Sequence, residues 1–549
     1  MKDNSIQIIK IVNNKIRFII HGLNQNRTIL YLILIISYVL CYFFLDLSSQ
    51  SLVAHDEGLY ARRSRLVEDS ANWFSPPFDN PHHKTIGSYW LISLSIRLFG
   101  YSELSLRLPS ILSSFVCLLI TYYIALIISN KMSALISVFA LSSMPLWIQY
   151  SRYASPDIPF VLCILLVILF FLKFIKSSLY INKNFYIFIS GIFLSLAFFV
   201  RSYMAFVPLL GLSPFLVVHF LRARNIFKIV FFSGILLGSV PTFLNLYFSF
   251  NLYGVSGITS LFDFAKKQAI GGFDINNSLL IPINAVYFTF PVGVLLIIFC
   301  IFTRSSNNYR YPLLTYYYPF LSLIILLCMS TTYSHYYLFL LPPLSIIFGV
   351  YIQKISFRSA FSKKMLKYAL ISFSILLTLS IIVFLIFFID HLLHLSNNKT
   401  IFVYIVLMIL VLSYISSTRF IVNNILTQFN ILKFLFNIIV SQYLSISLLY
   451  NFGIIGSPNL KIKSFLNDSS INTIVKSNNV GLYNVDSKIQ TLLSYYLPSS
   501  AIINKLDDIS MYNYVITTDS IFINKFKQNG TFKSIKKFDS QFYLMNLSK

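Results

Sequence analysis

The chain has 549 residues, of which 56% are hydrophobic and 11% charged, and its 43 Lys and Arg against 18 Asp and Glu give a formal net charge of +25. A mean hydropathy of +0.73 excludes a single soluble core, because apolar runs near twenty residues recur along most of the length and each needs lipid. The positive charge does not point to nucleic acid; it reads as positive-inside bias plus contact with anionic headgroups.

Apolar runs at 28–46, 105–128, 132–149, 156–175, 184–200, 203–221, 228–250, 281–303, 311–330, 336–353, 366–389, 400–417 and 431–452 predict a polytopic, all-α membrane domain of about thirteen spans over 1–454. The first run is too hydrophobic, and its leading tail too long, for a cleaved signal, so it reads as a retained anchor. Segment 88–99 is apolar but short, contains Arg97 and ends at Gly100, which suits an interfacial or re-entrant helix. The N-terminal tail and every second connection after it are basic, which puts the N-terminus in the cytoplasm and, with an odd span count, the C-terminus outside. The five cysteines all fall inside predicted spans, so neither disulfides nor a cysteine metal site is expected. From 455 to 549 short strand-like runs (480–485, 500–503, 512–518, 542–547) alternate with helix-like ones (487–497, 520–527), as in a small external α/β domain that caps or gates the membrane part.

Three external connections carry ionisable groups at helix ends, where charge is costly and its convergence signals function. The first, within loop 50–104, holds Asp56, Glu57, Tyr60, Arg62, Arg63, His82, His83 and Lys84; the second leads through Arg152 to Asp157; the third, 251–280, holds Asp263, Lys266 and Lys267. Bland readings stand beside these: Asp157 follows Pro156 and suits a helix N-terminus, and Asp56 with Glu57 suits an ordinary solvated pair. A carboxylate among cations at a membrane surface suits an enzyme that deprotonates an acceptor hydroxyl while stabilising a departing phosphate.

The ordered set resembles a known family. The pair Asp56-Glu57 followed by Tyr60-Ala61, a lysine at 84, the Tyr89-Trp90-Leu91 run, the Ser105 to Ser110 stretch SLRLPS, an Asp entering a later span and a tyrosine before Pro342-Pro343 are similar to those of the GT-C membrane glycosyltransferases of the protein O-mannosyltransferase and lipid A aminoarabinose transferase group. The resemblance implies a GT-C bundle with an external α/β domain, in the plasma (inner) membrane. It places the catalytic acid on Asp56 with Glu57 and Tyr60 beside it, the phosphate-binding lysine on Lys84, the second acid on Asp157, and the later tyrosine on Tyr336, with Tyr337 adjacent. Arg62 or Lys267 would help hold the phosphate. Where aminoarabinose transferases carry an Arg, a Glu and a Pro, this chain has Leu59, His83 and Thr85, and Lys266 or Lys267 stands in for a third-loop Arg.

The implied reaction is an inverting displacement at the anomeric carbon of a polyprenyl-phosphate sugar, with a lipid, glycan or protein acceptor, membrane lipid as surroundings and no nucleic acid. No nucleotide donor is called for, in keeping with a sequence that carries no nucleotide-binding loop. The residues name no definite cofactor but leave a divalent metal ion open, with His82, His83 and Glu57 as candidate ligands and His83 the foremost; adjacent histidines do not share a helix face. Two alternatives remain: a transporter or flippase of lipid-linked sugars, which would show inverted repeats and broken helices with ionisable groups near the midplane, and a ligase or polymerase of surface polysaccharide.

Overall fold

A computed structural model of the chain describes residues 50–549 apart from 55, 79–83, 271–274, 306–310, 330–332, 357–358, 394–396, 452–453, 455–459, 469–470, 472–478, 504–505, 520–522, 524–533, 539–541 and 547–549. The apolar run 28–46 lies outside the described residues. In order come α1 (Asp56–Asp69), α2 (Gly87–Phe99), α3 (Glu103–Ile128), α4 (Lys131–Ser143), α5 (Pro145–Tyr150), α6 (Asp157–Lys176), α7 (Tyr180–Arg201), α8 (Phe206–Leu221), α9 (Asn225–Tyr253), α10 (Ser256–Ile270), α11 (Ile275–Phe288) and α12 (Val292–Phe302). Next are α13 (Tyr318–Leu327), a 3-10 turn (Ser334–Leu340), α14 (Leu341–Gln353), α15 (Ala360–Leu393), α16 (Asn397–Asn423), α17 (Gln428–Asn451) and α18 (Leu460–Asn467). A short antiparallel pair, β1 (Arg304–Ser305) and β2 (Ile355–Ser356), ties two of the connections.

Among the described residues eight helices are long and apolar enough to cross a membrane, or nine if the pair Leu280–Phe288 and Val292–Phe302, bent by 105°, counts as one span. The thirteen separate runs are therefore not thirteen separate long helices. The 132–149 run is split into α4 and α5 at Met144, held extended at φ −70° and ψ 125°, because the residue before Pro145 is driven out of the helical region. Runs 184–200 and 203–221 lie in one 42-residue stretch, Tyr180–Leu221, about twice the length of a single crossing; it is interrupted at Ser202, whose φ is 58°. The 251–280 connection is not a loop: it is mostly helical, through α10 and the start of α11.

Helices α7 and α9 approach so closely that a Cβ on Gly191 would lie 2.4 Å from the Phe231 carbonyl oxygen, and one on Gly234 2.2 Å from that of Phe188. Gly234 and Gly238 form a G-x-x-x-G pair on α9, the small-residue seam that brings membrane helices together where lipid offers no hydrophobic drive.

The segment 480–546 forms a five-stranded mixed sheet in the order β4-β3-β5-β7-β6, from β3 (Val480–Tyr483), β4 (Ala501–Ile503), β5 (Tyr514–Thr517), β6 (Ser534–Phe538) and β7 (Phe542–Asn546), with helix α19 (Ser487–Tyr496) crossing between β3 and β4. Strand β3 pairs in parallel with β4 and with the central β5, and β7 runs antiparallel to β5 and β6. Strand β6 lies at the edge, and the pair Lys536-Lys537 in its sequence hides it from a hydrophobic pattern. Leu52, Tyr60, Tyr89 and Ile92 share one core with Val480, Leu482, Leu492 and Leu493, so the sheet is packed onto the first hydrophilic segment.

Candidate active site

Helix α1 begins with two acids, which its N-terminal amides and dipole favour, and closes just before Ala71, whose φ is 52°. Asp56 is its first residue; the Asp56 side chain lies outside the described residues. Glu57, next to it, is fully buried and its carboxylate accepts four hydrogen bonds. Arg107 of α3 donates through Nε to Oε1 at 2.9 Å and through Nη2 to Oε2 at 2.8 Å, Ala154 N donates to Oε1 at 2.9 Å, and Val53 N to Oε2 at 2.9 Å. Arg107 also donates to the Ser51 carbonyl at 3.1 Å and the Gln50 carbonyl at 3.3 Å. A carboxylate has about four lone-pair sites, and these are taken. Glu57 therefore ties the start of α1 to α3 and to the second connection.

One turn on, buried Tyr60 is the meeting point of two cations. Lys84 Nζ donates to the Tyr60 hydroxyl at 3.1 Å, and Arg201 Nη1, from the end of α7, donates to the same oxygen at 3.3 Å. The other arm of Arg201 pairs with Asp157 Oδ1 at 2.8 Å, both side chains being buried. Asp157 is the first residue of α6, where the helix N-terminus favours a carboxylate, and the ion pair with Arg201 adds to that. Two cations held against one phenol oxygen inside a buried pocket make a ready anion site, because charge-assisted bonds strengthen where water is excluded.

The surroundings are aromatic. Tyr89 lies 5.5 Å from the Tyr60 ring; burial pushes its phenol up, so it stays neutral. Arg63 lies 4.7 Å over the Phe78 ring, and its buried Nη1 has no hydrogen-bond partner among the described residues. Tyr336, in the 3-10 turn, is buried within electrostatic reach of Arg201 and Asp157, while the Tyr150 hydroxyl bonds Ser334 at 3.1 Å. A cavity of about 30 Å³ borders Lys84, Phe78, Asn245 and Tyr253. Helix α9 braces its rim: Asn245 Nδ2 donates to the Phe74 carbonyl at 2.9 Å and the Tyr253 hydroxyl to that of Phe78 at 2.7 Å.

The structure thus brings Tyr60, Lys84, Asp157 and Tyr336 together. Arg62 is half-buried on α1. His82 and His83 lie outside the described residues, as does the Lys267 side chain on α10; Lys266 there is exposed. Among the described residues no group of three or more His, Cys, Asp or Glu could hold a metal ion. Two central arginines were not singled out from sequence. Arg201 closes the apolar run Ala197-Phe198-Phe199-Val200, and an ionisable residue at a span end was the signal that could have marked it. Arg107 sits inside SLRLPS, at the head of a span that carries no further charge before Lys131, and the same signal applies to it.

Residues 83–248 match the family of dolichyl-phosphate-mannose-protein mannosyltransferases. A solved structure of ArnT from Cupriavidus metallidurans bound to undecaprenyl phosphate superposes with a TM-score of 0.71 at 14% identity, covering 94% of this chain and 98% of that one. The chain is thus similar to the GT-C group of protein O-mannosyltransferases and aminoarabinose transferases, through a family match over part of its length and a shared fold over most of it. Curated relatives include a protein of Aquifex aeolicus, 28% identical over 37% of this chain and 41% of its own length. Another is the undecaprenyl phosphate-alpha-4-amino-4-deoxy-L-arabinose arabinosyl transferase of Wigglesworthia glossinidia brevipalpis, 28% identical over 38% of this chain and 37% of its own. The chain spans less than half the length of these two relatives. The family match takes in Lys84, Arg107, Asp157 and Arg201 and stops short of Asp56, Glu57 and Tyr60.

Proposed function

We propose that the chain is an integral-membrane glycosyltransferase that moves a sugar from a polyprenyl-phosphate carrier to an acceptor hydroxyl or phosphate at the external face of the membrane. The observation that carries this reading is the convergence of Lys84 and Arg201 on the Tyr60 hydroxyl, a buried anion site beside Asp157 and one turn from Asp56. The curated arabinosyl transferase relatives and the undecaprenyl-phosphate-bound structural relative support a lipid-phosphate donor.

In this reading the acceptor oxygen attacks the anomeric carbon as the bond from that carbon to the phosphate oxygen breaks, and the configuration inverts. Asp56 takes the acceptor proton. The charge that develops on the leaving polyprenyl phosphate is met by Lys84 and Arg201, with Arg63 Nη1 and Arg62 as further donors. Asp157 fixes the Arg201 fork, and Tyr336 closes the pocket beside it. A transporter would also use a broken helix, and α11 and α12 are bent by 105°; but the break at Thr289-Phe290-Pro291 carries no ionisable group, so it lacks the ion or substrate ligands that transport needs.

The deciding assay offers the purified chain, in lipid nanodiscs, a polyprenyl-phosphate sugar or the matching sugar nucleotide. Transfer from the lipid donor, with release of polyprenyl phosphate, is expected. Transfer from the nucleotide with no lipid carrier present would refute the assignment.

A further inference from the structure

Helices α4, α16 and α17 enclose a cavity of about 490 Å³, inside the range of roughly 300–1,000 Å³ typical of small-molecule sites. Its walls are apolar, chiefly Leu135 and Phe139 of α4, Phe420 of α16 and Phe436 of α17. Phe139 and Phe436 meet edge to face at 5.7 Å. Helix α17 packs against both other helices, so the space opens between α4 and α16 above an α17 floor.

Two features say what fills it. Helices α16 and α17 contribute Thr400–Asn423 and Asn430–Tyr450, each apolar enough to cross a membrane, so the opening faces hydrocarbon and an apolar occupant is favoured over water. The rim, by contrast, is cationic. Lys433 lines the cavity and holds its Nζ 5.6 Å from the Phe420 ring. Apolar walls with one lining cation, Lys433, complement a lipid with a hydrocarbon chain and an anionic head.

The cavity is separate from the anion site around Tyr60. Its lining residues lie on α4, α16 and α17 and include none of Tyr60, Lys84, Asp157, Arg201 and Tyr336.

We propose that this cavity is a binding site for an anionic phospholipid, with an acyl chain against Leu135, Phe139 and Phe436 and the headgroup phosphate on Lys433. The test titrates delipidated full-length protein in a neutral detergent with phosphatidylglycerol, phosphatidylcholine or polyprenyl phosphate and counts bound lipid by native mass spectrometry. One phosphatidylglycerol is expected on the wild-type chain. Its affinity should fall roughly tenfold or more in Lys433→Gln, the loss of one charge-assisted hydrogen bond, and vanish in Leu135→Trp, which fills the cavity. Because Lys433 is exposed, Lys433→Gln leaves the fold intact and decides the matter if Leu135→Trp does not fold. Unchanged phosphatidylglycerol affinity in Lys433→Gln overturns the proposal, as does equal binding of phosphatidylcholine, or loss of polyprenyl phosphate rather than phosphatidylglycerol on Lys433 substitution.

Discussion

Glu57→Gln distinguishes a structural carboxylate from a reacting one. Glu57 is 0% exposed and Arg107 1%, so neither charge has water to fall back on. The substitution leaves Arg107 buried against a neutral amide whose NH2 group faces the guanidinium donors. Removing one partner of a buried pair costs about 3–5 kcal/mol, a large share of a typical total of about 5–15 kcal/mol. Adding Arg107→Met removes the stranded charge, while the new amide still offers one oxygen to Val53 N or Ala154 N, so the double variant should be the more stable of the two. The expected coupling is about 2 kcal/mol in the direction of rescue. Thermal unfolding of the single and double variants in detergent, with transfer activity measured on the folded fraction, reads both effects. If Glu57→Gln melts with the wild type, or if Arg107→Met fails to rescue it, Glu57 does not hold the loop as described. If the double variant folds but remains about 10²-fold slow, a typical general-base loss, Glu57 takes part in the chemistry after all.

Asp56→Asn should lower transfer by roughly 10²-fold or more with folding retained; near wild-type turnover would remove Asp56 as the base. Lys84→Met should weaken lipid-donor use by roughly 10- to 100-fold, the loss of a charge-assisted bond, with Lys84→Arg only partly restoring it because a planar fork replaces a point charge; equal rates for all three chains would take Lys84 off the donor phosphate. Gly234→Leu puts a side chain where even a Cβ lies 2.2 Å from the Phe188 carbonyl oxygen, so it should cost at least about 1–3 kcal/mol, and an unchanged melting temperature would contradict the close α7–α9 contact. Burial, and then Glu103, push the Tyr496 phenol upward from its usual value. The folded state therefore keeps a proton that the unfolded state releases above about pH 10, so the stability from this group is whole below about pH 10 and declines above it. Tyr496→Phe should flatten that alkaline decline in melting temperature, and an unaltered pH profile would count against the buried contact.

Much of the site could be read from sequence because its polar residues stand out against apolar surroundings. Lys84 and Asp157 are far apart in the chain, yet each falls at the edge of an apolar run, where charge is unusual enough to be noticed. Pairing is what the pattern does not contain. Glu57 and Asp56 are neighbours of the same chemistry, and only the positions of Arg107, Val53 and Ala154 show that Glu57 is consumed by bonds. Nothing in the sequence pattern sets Arg201 between Asp157 and Tyr60; folding does. Hydropathy likewise locates apolar chain without saying where it breaks: Met144 before Pro145 and Ser202 at positive φ interrupt runs whose composition is uniformly greasy.

The C-terminal sheet reaches the site through α1, which explains why residues more than four hundred positions apart share a core. Leu492 of α19 sits over Gly58, 3.4 Å from where a Cβ would project, two residues from Asp56. Arg65 Nη1, two turns further along α1, donates to the Tyr495 carbonyl at 2.8 Å. The Tyr496 hydroxyl donates to Glu103 Oε1 at 3.0 Å, and Lys463 pairs with the same oxygen at 2.8 Å. Helix α1 is therefore held on one side by α19 and on another by the Glu57–Arg107 pair, while its Tyr60 faces Lys84 and Arg201. A short helix of 14 residues is marginal alone in water. These contacts fix the orientation of α1, and in the proposed reaction the base at its start must be positioned closely against the acceptor.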